Sequence, residues 1–188
     1  MPHPTRMTPD ESAVLVVDVQ EKLMVKIPDA AAIVRNIAFL VDAAPLLGVE
    51  VLATEQYPKG LGPTVAELAK RLPPRPDKLT FSCCGLPDLT ESLRRRRRTQ
   101  IVLVGIEAHV CVLNTAFDLL AEQFQVYLAV DALGSRFAVD RETALRRLEL
   151  AGAIPTTVET AVFEWTGGAA HPNFKALSAL VRDRAAAV

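Results

Sequence analysis

Three residues of this chain carry the functional groups of an acyl-transfer site, namely a thiol, an acid and an amine. Cys111 follows Ile101–Val104 (IVLV), an apolar, β-branched run of buried-strand type, through Gly105-Ile106-Glu107-Ala108-His109-Val110. Beyond it Val112, Leu113, Ala116, Phe117, Leu119 and Leu120 recur at spacings of three and four, which predicts a helix. Cys111 therefore sits where a strand turns into a helix. Unpaired N–H groups and the positive end of the helix dipole favour thiolate there, and thiolate is the nucleophile. A small buried core cysteine would suit the same place, and position alone does not decide. Asp18 closes a second such run, Ser12–Asp18 (SAVLVVD). The carboxyl end of a strand in an open α/β sheet is the ligand side, although an acid there also suits a helix N-cap. Lys78 follows Pro73-Pro74-Arg75-Pro76 and opens a short extended run to Ser82. A single lysine is ordinarily exposed, so Lys78 becomes interesting only beside the other two.

Placed on one rim, the three predict a definite reaction. Asp18 takes the thiol proton of Cys111 and later passes it to a leaving amine. Lys78 holds Asp18 ionised and stabilises the thiolate. Cys111 attacks a carbonyl carbon and forms a thioester, which water hydrolyses. Backbone N–H groups at the start of the Cys111 helix would hold the oxyanion, each worth roughly 2.7–4 kcal/mol of barrier.

These segments, VLVVDVQ around Asp18, DKLTFS around Lys78 and GIEAHVC around Cys111, occur in the order found in the isochorismatase-like cysteine hydrolases, which the chain resembles from about Ser12 to Leu180. Thr54–Val65 (TEQYPKGLGPTV), Val130-Asp131-Ala132 and His171-Pro172-Asn173-Phe174-Lys175 resemble a narrower branch, the isochorismatase-domain-containing proteins. The resemblance implies an Asp18, Lys78 and Cys111 triad. It also implies a cis peptide between Ile106 and Glu107 that turns the Glu107 N–H toward the site beside the Cys111 N–H as an oxyanion hole. Cys111 points away from isochorismate itself and toward cleavage of an amide or amide-like C–N bond. Nicotinamidase-like members carry an Asp/His metal cluster where this chain reads Glu55-Gln56-Tyr57-Pro58. The histidines, His3, His109 and His171, lack metal-ligand spacing, so neither a metal nor another cofactor is expected. Family members are typically oligomeric, which implies a homo-oligomer. The alternative is a non-catalytic or redox-sensing small-molecule-binding module on the same fold.

Gln20, Glu55, Tyr57, Phe81 and His109 lie near the strand ends and the nucleophile and are candidate pocket wall for a small-molecule substrate. Each has a plain alternative: loop polar residues for Gln20, Glu55 and Tyr57, core for Phe81 and Trp165, a helix-start surface residue for His109. His171 and Asp131 read first as structural.

The elements that must position these groups alternate along the chain. Strands are predicted at Ala13–Val17, Val49–Thr54, Gln100–Val104, Val126–Val130 and Ile154–Val158, with an extended run at Lys78–Ser82. Helices are predicted at about Ala30–Leu47, shortened by Pro45 and ended by Gly48, then at Thr64–Arg71, Leu86–Arg95, after Cys111, at Arg141–Ala151, and twice near the C-terminus. Such alternation implies parallel pairing through right-handed crossovers, hence an α/β fold with a three-layer α/β/α architecture and a mostly parallel, doubly wound sheet. The 188 residues suit a single domain (1–188), with 1–11 as a flexible N-terminus.

Half of the residues are hydrophobic, enough to bury a sheet on both faces. A net charge of −1 provides no whole-molecule attraction to nucleic acid or membrane, and neither partner is expected. Three cysteines, two of them the adjacent Cys83 and Cys84, suggest a reducing compartment. The start, Met1–Arg6, is polar and proline-rich, the apolar stretches look strand-length, and a cytoplasmic location is expected. The run Arg94–Arg98 could meet phosphates, but a solvated helix end is the plainer reading.

Overall fold

The computed structural model describes residues 3–186. In chain order it contains β1 (Ser12–Val17), α1 (Glu21–Met24), α2 (Ala30–Ala43) with a 3-10 extension at Ala44–Leu47, β2 (Glu50–Ala53) and β3 (Glu55–Gln56). Then come α3 (Pro58–Leu61), α4 (Ala66–Ala69), β4 (Asp77–Lys78), a 3-10 turn at Cys83–Gly85, α5 (Leu89–Arg95) and β5 (Gln100–Ile106). A π-turn at Ala108–Val112 leads into α6 (Leu113–Ala121), followed by β6 (Gln125–Gly134), α7 (Ala138–Leu150), β7 (Ile154–Thr156), α8 (Val158–Thr166) and α9 (Phe174–Ala186).

The main sheet is parallel, in the order β2-β1-β5-β6-β7. The chain leaves β1 toward β2 on one side, and β5 lies on the other. The winding direction therefore reverses between β1 and β5, and ligands of open α/β sheets bind beyond the carboxyl ends of the strands at such a point. Asp18 is the first residue after β1, and Cys111 follows β5 by five residues.

Period-two alternation divides the strands between two cores. Val14, Val16, Val102, Val104 and Ile106 pack with α2, α8 and α9 on one face. Ala13, Leu15, Val17, Ile101 and Leu103 pack with α5, α6 and α7 on the other. The result is the expected α/β/α stack. The stretch Ala30–Leu47 corrects the expectation of strand-length apolar runs. It is 18 residues with a mean hydropathy of 1.6, long and apolar enough by composition to cross a membrane. Its apolar residues, Ile33 to Val41 among them, are packed against the sheet and against α8 and α9.

The N-terminal segment also differs from expectation. Met1 and Pro2 lie outside the described residues. Met7 is buried, its N–H donates to Glu164, and the Thr8 N–H donates to Gln100. The Tyr127 hydroxyl and the Gln100 amide donate to the carbonyls of Thr5 and Arg6. Residues 5–8 are thus tied across the amino ends of β5 and β6, through side-chain amides whose partners lie about 90 residues away in sequence. Smaller differences concern boundaries. The extended run at Lys78–Ser82 contracts to β4, and β6 continues four residues beyond Val130 through a register shift against β5.

Candidate active site

Asp18 stands in the left-handed region (φ 51°), with its carboxylate fully buried. A residue of this type tolerates that conformation better than most, and here it turns the chain out of β1. Gly105 makes the neighbouring strand fit. Its φ is +117°, and a Cβ there would lie 2.1 Å from the carbonyl oxygen of Val17. Only glycine lets β5 approach β1 so closely where the two strands end.

Lys78 is brought to Asp18 by a small separate sheet. β3 and β4 pair in parallel, with Gln56 opposite Lys78. The Lys78 side chain is almost wholly buried, and its ammonium lies 2.7 Å from Asp18 Oδ2 and 2.7 Å from Gln56 Oε1. It also donates to the carbonyls of Phe81 (3.0 Å) and Thr80 (3.2 Å). A buried ammonium requires this many acceptors, and all three of its protons are engaged. The other Asp18 oxygen accepts the Thr54 hydroxyl at 2.7 Å.

Cys111 is the fourth residue of the π-turn, which the Val112 N–H closes onto Glu107 O. Its Sγ is 4.0 Å from Gln56 Oε1. Its carbonyl accepts the Thr115 hydroxyl, which in turn accepts the Cys83 N–H. The peptide between Ile106 and Glu107 is cis. Burial pushes the Cys111 thiol up, and the Asp18 charge adds to this, while Lys78 acts in the opposite direction and does not prevail. The helix-start position favours thiolate, whereas burial here favours the neutral thiol.

The structure thus brings Asp18, Lys78 and Cys111 together. It treats the candidate pocket residues differently. Gln20 is buried and spent as a brace, donating to the carbonyls of Gln56 and Gly62 and accepting the Gln56 N–H. Glu55 clamps the Thr64 N–H and hydroxyl and pairs with Arg75. Tyr57 is half exposed, and its ring lies against Gly60. The Phe81 ring is exposed while its carbonyl serves Lys78. His109 bonds Ser135 and lines a separate cavity of about 220 Å³ against α7. The Glu107 carboxylate accepts the Arg136 N–H and guanidinium. Asp131 accepts the Val158 N–H at the start of α8 and pairs with Arg184, and Trp165 is core, donating to Ser12.

Gln56, Thr54 and Thr115 were not singled out from the sequence. Gln56 is placed by the β3–β4 pairing, which joins segments too short to show a strand pattern. Among the described residues no group of three or more His, Cys, Asp or Glu is placed to hold a metal ion. The arginine run precedes β5, at the opposite end of the sheet from Cys111. Arg94, Arg95 and Arg96 pair with Glu122, Glu91 and Glu50.

Comparison with known proteins gives a consistent match. Residues 12–160 match the family model described as "Isochorismatase domain". The chain is 43% identical over 183 residues to isochorismatase domain-containing protein 2 of Macaca fascicularis, covering 96% of this chain and 87% of that protein. It is 41% identical over 181 residues to the Homo sapiens protein of the same name, covering 96% and 87%. Among solved structures it superposes on one described as MAR1 ribonuclease from Caenorhabditis elegans with a TM-score of 0.89 and 42% identity, covering 95% and 93% of the two chains.

Proposed function

The chain belongs to the isochorismatase family of hydrolases, and we propose that it is a cofactor-free cysteine hydrolase that cleaves a C–N bond of a small amide or amide-like substrate. The observation that carries this reading is the buried Lys78–Asp18 pair at 2.7 Å beside the Cys111 thiol. Asp18, an acceptor at the carboxyl end of β1, takes the Cys111 proton as sulfur attacks the substrate carbonyl. The C–N bond breaks, the amine leaves with that proton, and a thioester remains. Asp18 then takes a proton from water, hydroxide attacks the thioester, and the acid product and the thiol are released. Backbone N–H groups of Glu107 and Cys111 hold the oxyanion in this scheme. A thiol pushed up by burial suits it, because proton transfer to Asp18 then accompanies attack instead of preceding it.

The exposed Leu79, Phe81, Phe137 and Val139 are apolar surface of the kind subunit contacts cover, which supports the reading of a homo-oligomer. A second reading, a small-molecule-binding module, is favoured by the burial that pushes the Cys111 thiol up, whereas a redox sensor would need an exposed cysteine with a lowered pKa.

The test is a hydrolysis screen of short amides, carbamoyl compounds and esters, run with the wild type and with Cys111→Ala and Asp18→Asn. The expected result is turnover that disappears in both variants while their circular dichroism is unchanged. Retained turnover in either variant would sink the triad. Because the C. elegans relative is described as a ribonuclease, a fluorogenic RNA belongs in the screen. RNA cleavage lost in Cys111→Ala would move the substrate class away from small amides.

A further inference from the structure

Gln56 holds its side-chain oxygen where it serves Lys78 on one side and looks toward Cys111 on the other. Its backbone N–H is bonded to Gln20 Oε1, its backbone carbonyl to Gln20 Nε2, and its own Nε2 to the Leu79 carbonyl at 3.1 Å. The amide is thereby fixed in rotation, and the oxygen, not the nitrogen, faces Lys78 and Cys111. An amide oxygen has two acceptor sites. Lys78 Nζ takes one at 2.7 Å, and the other looks toward the sulfur at 4.0 Å, a long distance for a thiol donor. The Lys78 protons are shared among Asp18, Gln56 and the carbonyls of Phe81 and Thr80, so Lys78 has no proton free for a substrate oxygen.

On the reading of Cys111 as nucleophile, we infer that Gln56 Oε1 is a specificity-determining acceptor that takes an N–H of the substrate's carboxamide beside the reacting carbon, so that the site prefers amides over the corresponding esters. An ester places an oxygen lone pair where the amide places N–H. It would face the Gln56 oxygen without a proton between them, which leaves empty the acceptor site that Lys78 does not fill and sets two oxygens opposite each other. Lys78 cannot relieve this, since its protons are already engaged.

Two alkylating probes test the point without knowledge of the natural substrate: iodoacetamide, which carries N–H, and methyl iodoacetate, which does not. In each case the Cys111 sulfur bonds to the methylene carbon, iodide leaves, and the thiol proton passes to Asp18 or water. Rate constants at Cys111 are read by peptide mass spectrometry and divided by those of N-acetylcysteine with the same reagent. The normalised amide-to-ester ratio is expected to fall about fivefold in Gln56→Met. Gln56→Glu, which keeps an acceptor at this position, is expected to retain the preference and guards against a merely structural loss. An unchanged ratio in Gln56→Met, or equal loss in both variants, overturns the role of Gln56 and leaves the nucleophile standing. If neither reagent labels Cys111 in the folded protein while both label it in urea, Cys111 is not the nucleophile and this inference falls with it.

Discussion

Val17 and Gly105 face each other at the last paired position of β1 and β5, so close that a side-chain carbon on Gly105 would sit 2.1 Å from the Val17 carbonyl oxygen. This contact sets the spacing between the strand that presents Asp18 and the strand that leads to Cys111. Gly105→Ala would have to push the strands apart at that point and hold alanine at a φ near +117°. We expect a loss of about 2–5 kcal/mol, from strained backbone and overpacking together. For a chain of this length that is a drop in Tm of roughly 5–15 °C by calorimetry. A shift under 2 °C would mean that the strands separate freely and that Gly105 does not set their spacing.

The Lys78–Asp18 pair supports a second expectation. With Lys78→Met, Asp18 is left buried without a counter-charge, and breaking one side of such a pair typically costs about 3–5 kcal/mol. Adding Asp18→Asn removes the orphan charge, so the double variant should recover much of that loss in urea denaturation while remaining inactive. If the double variant is no more stable than Lys78→Met alone, the two side chains are not coupled in the way their 2.7 Å contact implies.

Much of the architecture was legible in the sequence because the buried strands are short β-branched runs punctuated by glycine and proline. Val14, Leu15, Val16 and Val17 alternate between two cores, and continuous apolar runs of this kind arise only when both faces are covered. Asp18 and Cys111 were legible for the same reason: each ends or follows such a run. What escaped was set by contacts remote in sequence. The Gln56–Lys78 pairing joins two-residue strands 22 positions apart. The ties of Thr5–Thr8 to Gln100 and Tyr127 depend on the N-terminus returning across the sheet. The Cys111 thiol stayed undecided in the sequence because helix-end position is local and visible, whereas desolvation is a property of the packed whole.

The arginine run provides a third test, since its members are held differently. Arg95 makes an exposed i, i+4 pair with Glu91, whereas the better-buried Arg98 donates to the carbonyls of Pro9 and Asp10 and ties the N-terminal segment to the start of β5. Arg95→Ala should therefore change stability by at most about 0.5 kcal/mol, within the range of exposed helical pairs. Arg98→Ala should cost about 1.5–3 kcal/mol, the range for hydrogen bonds that involve a charged group. Chemical denaturation of the two variants side by side would show the difference, and equal effects would mean that the Arg98 contacts contribute little.

The last expectation concerns pH. Burial is the main reason that the Cys111 thiol is pushed up, and the Asp18 charge works in the same direction. The thiolate fraction therefore rises with pH, and it does so above the range where an ordinary exposed thiol would already have titrated. Alkylation of Cys111 by iodoacetamide, followed by peptide mass spectrometry so that Cys83 and Cys84 do not interfere, should accelerate continuously from pH 6 to pH 9.5 without a plateau. Asp18→Asn removes the nearby negative charge and should shift that curve toward lower pH. Lys78→Met removes the nearby positive charge and should shift it toward higher pH. A plateau below pH 8 in the wild type would show that the thiolate is already stabilised in the resting protein, and proton transfer from Cys111 to Asp18 would then have no place in the first step of the reaction.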